Sequence, residues 1–204
     1  MVTVEADQVR VESRLTGGQL DCPGCQGVLA PWGWARPRGV RGVGWLRPRR
    51  ARCGGCLVTH VLLPVTVLLR RADAAEVIGA ALMARSAGLG HRRIAARLGA
   101  PASTVRGWLR RWGSRLEVAR VHFTVVARLA GVDLAVPKAL GSPWRDVLAA
   151  VGAAAAAVTA RFGPAGVIGP VTAWQVASAS SGGRLLSPGW PLVSVSAGTN
   201  TSRP

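Results

Sequence analysis

Apolar and polar positions change rhythm along this chain. Between Trp32 and Leu63 they form short alternating runs broken by Gly and Pro: Trp32, Trp34, Arg36 and Arg38 share one parity, and Trp45, Arg47 and Arg49 share another. Period two predicts paired strands, with the more continuous run Leu57 to Leu63 as a third, more buried strand. The rhythm then becomes helical. Asp73 with Glu76 three residues on predicts a capping box opening a helix whose stripe is Val77, Ile78, Ala81 and Leu82 and which Gly88 and Gly90 end. Leu116, Val121 and Val125 continue the helical spacing. Pro143 to Ala160 predicts an Ala-rich helix, and Val171 to Ala179 one more. From Ser187 onward Pro, Gly, Ser and Thr predict an unstructured end. No internal repeat interrupts this order.

The sharpest helical pattern is GLGHRRIAARLGAPASTVRGWLRRW, residues 88–112. Ile94, Ala95 and Leu98 line one face of a short helix, Gly99 supplies a turn, and Val105, Trp108 and Leu109 recur at i, i+3 and i+4 on the next. Small Ala95 lets the two helices approach closely. This is the packing pattern of a helix-turn-helix, whose second helix enters the major groove of DNA. With the core positions subtracted, Ala102, Ser103, Arg106, Gly107, Arg110 and Arg111 face outward. Ser103 and Arg106 are the candidates for reading bases, because Arg can donate two bonds to guanine. Arg92, Arg93 and Arg97 are assigned to phosphates, which position a protein without reading sequence. A helical hairpin with a solvated Arg face, used for packing or dimerisation, is the alternative. Trp112 reads as a core or interface residue rather than a stacking platform.

Charge sharpens the picture. The 204 residues carry 26 Lys+Arg against 9 Asp+Glu, a net +17, and the segment 36–128 alone holds +16. Such a field points to a polyanionic partner rather than a small anionic substrate. Only Lys138 is Lys, so the preference for Arg reflects a GC-rich coding bias more than phosphate geometry. The mean hydropathy of +0.27 raises a membrane reading. A spanning helix needs about 20 apolar residues. The run from Val147 to Ala160 is too short and is closed by Asp146 and Arg161, while Leu57 to Leu69 contains His60 and Pro64. The N-terminus lacks the apolar stretch of a secretory signal. The expected location is cytoplasmic, nucleoid-associated when bound to DNA, with no membrane partner.

Cys22-Pro-Gly-Cys25 and Cys53-Gly-Gly-Cys56 are two CxxC pairs 27 residues apart, and they account for every cysteine. Each turn presents two thiolates to a tetrahedral metal, so with flanking strands Cys22, Cys25, Cys53 and Cys56 read as a zinc ribbon holding one Zn²⁺. The long spacer accommodates a hairpin insertion. A CxxC redox pair or two disulfides are the other readings; a thioredoxin-like βαβ context is missing, and cytosolic disulfides are rare. Four ligands close the metal, which makes the site structural rather than catalytic. His60 reads as a packed or surface residue rather than a ligand.

The fold class expected is mainly α with a small β zinc ribbon, followed by a helix-turn-helix and a C-terminal helical region with a disordered tail. Its parts are an N-terminal segment at 1–20, a zinc-ribbon-like domain at 21–66, the helix-turn-helix domain at 70–116, a helical region at 117–186 and the tail at 187–204. The motifs CPGC, PWGWARPR, LRPRRARCGGCLVTHVLLP, RRADAAEVIGAAL and GHRRIAARLGAPASTVRGWLRRW occur in that order. In this the chain resembles an uncharacterised family of bacterial proteins, common in high-GC genomes, that joins a zinc-ribbon-like domain to a helix-turn-helix. That family is similar to the N-terminal DNA-binding region of insertion-sequence transposases. The resemblance covers residues 20 to about 120, with RLLSPGW and NTSRP matching more loosely. It implies DNA binding and a link to mobile elements.

A transposase of that kind needs spaced carboxylates on a ribonuclease-H-like domain to hold two metals. After Arg115 the only acids are Glu117, Asp133 and Asp146, on segments without predicted strands. No catalytic residue is therefore assigned. The function expected is duplex DNA binding, transposase-related or regulatory, with a homodimer as a compatible assembly. The alternative is a zinc-ribbon protein for single-stranded DNA or RNA, in which Trp32, Trp34, Trp45 and the Arg residues among them stack and attract a strand. Against it, the tryptophans of so small a ribbon are expected to form its core. A protein-interaction module with incidental charge is a third class.

Overall fold

In a computed structural model of the chain, residues 1–131, 138–163 and 169–190 are described. The protein is mainly α, with a small β part that carries the cysteines. Strand β1 (Val2–Val4) and helix α1 (Gln8–Thr16) come first. Five strands follow: β2 (Leu29–Trp34), β3 (Arg38–Val40), β4 (Gly44–Leu46), β5 (Arg49–Cys53) and β6 (Thr59–Pro64). Then come α2 (Ala75–Ser86), α3 (His91–Leu98), α4 (Ala102–Gly113), α5 (Leu116–Ala130), α6 (Pro143–Phe162) and α7 (Ala173–Ser180). No helix among the described residues is long and apolar enough to cross a membrane.

One sheet has the order β1-β6-β5-β2, and β3 and β4 form a separate hairpin. Strand β1 is parallel to β6, while β5 runs antiparallel to both β6 and β2. In that register Leu29 lies opposite Cys53 and Pro31 opposite Ala51, so alternation sends Leu29, Ala51 and Cys53 inward. The core they enter is completed by Val4, Val11, Leu15, Leu20 and Leu62. Residues before Asp21, which the sequence leaves outside the ribbon, thus supply much of its apolar filling. Helix α1 is fixed by its cap, where Asp7 accepts from the N–H groups of Val9 and Arg10. Glu12 on α1 accepts two bonds from Arg49 on β5, at 2.8 and 2.9 Å. The expected tryptophan core is therefore corrected: Trp32, Trp34 and Trp45 stand 50%, 39% and 82% exposed.

The helices share a second core. It is built from Ile78 and Leu82 of α2, Ile94 and Ala95 of α3, Val105, Trp108, Leu109 and Trp112 of α4, and the facing sides of α5 to α7. The capping box predicted at Asp73 is absent. Helix α2 starts two residues later with Ala74 as its uncapped N-cap, while Asp73 is buried and pairs with Arg41 at 3.1 Å. A tertiary ion pair has replaced the local one, tying the β3–β4 hairpin to the first helix of the next unit.

The helix predicted from Leu116 is present with a different inner face. Ala119, Phe123 and Ala127 are buried, whereas Val121 and Val125 are exposed. The reason is α6, whose Val147, Ala150, Val151, Ala154 and Ala157 turn inward. Helices α5 and α6 run side by side in the same direction. Trp144 at the start of α6 reaches Gly113 just before α5, and Arg161 near its end donates to the Leu129 carbonyl at 2.7 Å. Small residues at 119, 127, 150, 154 and 157 let the two axes come close.

The unstructured end predicted from Ser187 begins too early. Trp190 is buried against His122 and Phe123, and Arg115 Nη1 donates to the carbonyls of Ser187 and Trp190 at 2.7 and 3.0 Å. The rest of that prediction, 191–204, lies outside the described residues.

Candidate metal centre and nucleic-acid interface

The two CxxC turns are built alike. In the first, the N–H of Gln26 donates to the Cys22 carbonyl at 2.9 Å and that of Cys22 to the Gly27 carbonyl at 2.8 Å. In the second, Leu57 donates to Cys53 at 3.1 Å and Cys53 to Val58 at 3.0 Å. Gln26 and Leu57, each the residue after the second cysteine, take left-handed φ values of 61° and 60°. That conformation is strained for a side-chain-bearing residue, and it recurs at the same place in both turns.

The turns face one another and bring all four sulfurs within 4.8 Å. Cys22 and Cys56 are 3.7 Å apart, and Cys25 and Cys53 are 3.4 Å apart. Bonds of about 2.3 Å to a tetrahedral zinc place sulfurs about 3.8 Å apart. The donor set and its geometry are thus compatible with one structural zinc. None of the four is in a disulfide.

Electrostatics agree. The N–H of Cys56 holds the Cys53 thiol down to about 6, against the opposing effect of burial. Cys22 is also lowered, chiefly by the backbone N–H of Gly24. At Cys56 the N–H of Val58 acts downward, but the thiols of Cys25, Cys53 and Cys22 and burial outweigh it and push the group up to about 12. Four thiolates this close cannot all ionise without a cation among them. His60 is buried beside the cluster, with its Nε2 3.4 Å from Cys22 Sγ. It lies outside the group of four mutually close ligand atoms.

In the helical half, α3 and α4 are joined by Gly99, whose φ of 58° closes α3 and lets Ala100 donate back to Ala95 at 3.0 Å. Val105, Trp108, Leu109 and Trp112 point inward from α4. Ser103, Arg106 and Arg110 lie on its exposed side, while Arg111 is partly covered, its Nη1 lying back over Gly107. Arg92, Arg93 and Arg97 are exposed on α3. No side chain caps α3 or α4, so their first-turn N–H groups have no capping partner. Ser103 and the six Arg residues named here form no ion pair among the described residues. A family model described as a homeodomain-like domain matches residues 70–120. The match spans α2 to α4 and enters α5, which supports a DNA-binding helix-turn-helix over these residues. Comparison with curated proteins and with solved structures finds no match.

Sequence reasoning passed over Arg71 and Arg115. Arg71 Nη2 donates to the Leu186 carbonyl at 2.8 Å, so the two arginines clamp the segment after α7 to the helix-turn-helix. Burial and the nearby Arg111 charge lower both guanidinium groups from their ordinary value. Nothing in the linear pattern marks them, because their partners are carbonyls more than 70 residues away.

Proposed function

We propose that this protein binds duplex DNA through α4, with the ribbon at 21–66 held by one structural Zn²⁺ on Cys22, Cys25, Cys53 and Cys56. The observation that carries the reading is the two-sidedness of α4 within the matched domain: Trp108 and Trp112 are buried, and Ser103, Arg106 and Arg110 are exposed. In a helix-turn-helix that outer side enters the major groove. Ser103 and Arg106, near the start of α4, are assigned to base edges. Arg92, Arg93, Arg97, Arg110 and Arg111 are assigned to phosphates, to which the uncapped N-termini of α3 and α4 also offer N–H groups.

The zinc organises and does not react. Four thiolates leave it no open position, so its contribution is to fix the two turns and through them β2, β5 and β6. The working units are then 21–66 for the metal and 70–116 for DNA. The role is transposase-related or regulatory, without a catalytic step. Of the three acids after Arg115, Glu117 pairs with Arg120 at 2.5 Å, Asp146 accepts from the Leu140 N–H at 2.6 Å, and Asp133 lies outside the described residues. The test is duplex binding against salt. With about six phosphates contacted, log K should fall against log salt with a slope of about −5. A slope near zero removes DNA as the partner.

A further inference from the structure

The sequence between Pro31 and Arg52 holds seven Arg, three Trp and no acid. The ribbon's core is complete without those tryptophans, because Val11, Leu15 and Leu20 fill it from the N-terminal side. Trp45 therefore stands in solvent and Trp32 and Trp34 are left half-exposed on a small β unit, where burying them would be the ordinary outcome. Two of them, Trp32 and Trp34, are also dressed with cations. The Arg52 guanidinium lies 4.6 Å from the centre of the Trp32 ring, and those of Arg49 and Arg47 lie 4.8 and 5.8 Å from Trp34. Arg49 is anchored by Glu12 and Arg52 by the Leu57 carbonyl, so these side chains are ordered before any partner arrives. Arg41 is taken by Asp73. Arg36, Arg38, Arg47, Arg50 and Arg52 have no carboxylate partner among the described residues.

We infer that these tryptophans and arginines together form a second nucleic-acid surface, one that takes the unpaired bases of single-stranded DNA. Ring faces and positive charge together suit a strand whose bases are free to stack. Duplex bases are already stacked on one another and present only their edges, which is what a helix in the groove reads. The hairpin β3–β4 carries Trp45 furthest into solvent, and Gly33, at φ 90°, interrupts β2 between Trp32 and Trp34. There the pairing of β2 with β5 shifts register, so the two neighbouring tryptophans do not simply repeat along a flat strand. The assignment does not depend on duplex reading by α4. Either surface can fail while the other stands.

The experiment uses the full zinc-loaded chain and a labelled oligo-dT strand of about twenty nucleotides, long enough to span such a face. Trp45→Ala should weaken oligo-dT binding about tenfold, and Trp45→Phe, which keeps a ring, should stay within about threefold of wild type. Trp32→Ala should act like Trp45→Ala, provided that its zinc content and circular dichroism match wild type. If they do not, the Trp45 pair decides alone, since so exposed a residue is not part of the core. Arg106→Ala should leave oligo-dT binding unchanged whatever it does to duplex. No binding of oligo-dT, an unaltered Trp45→Ala, or an oligo-U strand bound about tenfold more tightly than oligo-dT each overturns the inference.

Discussion

Trp174 of α7 lies flat against Gly79 of α2, so close that a Cβ at position 79 would overlap the indole ring. Both residues are buried, and the contact is where the last described helix docks on the helix-turn-helix. In an ordinary helix interior, Gly→Ala gains about 1 kcal/mol from propensity. Here overpacking opposes it with about 1–3 kcal/mol. Gly79→Ala should therefore lower the melting temperature. In a Trp174→Ala background the same change should raise it, because the obstruction is gone and the propensity gain remains. A thermal-melt cycle of the four proteins checks this, and additive effects would place the indole elsewhere.

His122 is packed between Phe123 and Trp190, with ring centroids 5.0 and 5.1 Å away, and its Nε2 is buried without a partner among the described residues. Burial lowers its pKa below the ordinary 6.5. A base depressed in the folded state is protonated first in the unfolded chain, so stability falls as pH drops below about 6.5 and stops falling once the folded imidazole is also charged. Denaturant melts between pH 7.5 and pH 5.5, values that bracket the reference histidine at about 6.5, should show this loss in wild type. It should be reduced in His122→Phe. An equal slope in both would assign the pH dependence to other groups.

Local spacing told most where the constraint itself is local. Two CxxC turns and the Gly99 corner are short-range devices, and each is made within about six residues of chain. What escaped was decided by distant partners. Asp73 looks like a helix cap until Arg41 reaches it across the hairpin. Val121 and Val125 look like a core stripe because α5 is apolar on most sides, and only the Ala-rich face of α6 selects Ala119, Phe123 and Ala127 instead. The sequence of the ribbon alone puts its tryptophans inside because it has little else to bury. Val11 and Leu15, arriving on α1, removed that need.

Gly27 and Gly24 both border the sulfurs, at different clearances. A Cβ at 27 would stand 3.1 Å from Cys53 Sγ and 3.4 Å from Cys25 Sγ, whereas one at 24 would meet Cys22 Sγ at an ordinary 3.9 Å. Wild-type protein should contain one equivalent of zinc, and Cys25→Ser should release it and unfold the strands, since such metal contributes about 10–16 kcal/mol to small modules. Gly27→Ala should bind zinc more weakly than Gly24→Ala in competition with a chromophoric chelator. Less than half an equivalent of zinc in reduced wild-type protein, with iron also absent, would remove the metal centre.

Arg106 and Arg92 should fail in different ways. Arg106 sits between Val105 and Trp108, both buried, so its exposed side chain projects from the first half of α4 away from the core. Arg92 is exposed in the first turn of α3, before the buried pair Ile94 and Ala95, where a supporting helix meets the backbone of the duplex. Losing a bidentate base contact costs about 1–3 kcal/mol on the preferred site and relaxes the preference there. Losing a phosphate contact weakens every duplex about equally and makes the salt slope shallower by about one. Arg106→Ala should show the first pattern and Arg92→Ala the second, in titrations of a selected duplex and a scrambled one at several salt concentrations. Neither residue is part of the core, so both variants should melt as wild type does. An Arg106→Ala protein that binds selected and scrambled duplexes as wild type does, or that unfolds, would mean that the face of α4 carrying Ser103 and Arg110 is not the one that meets DNA.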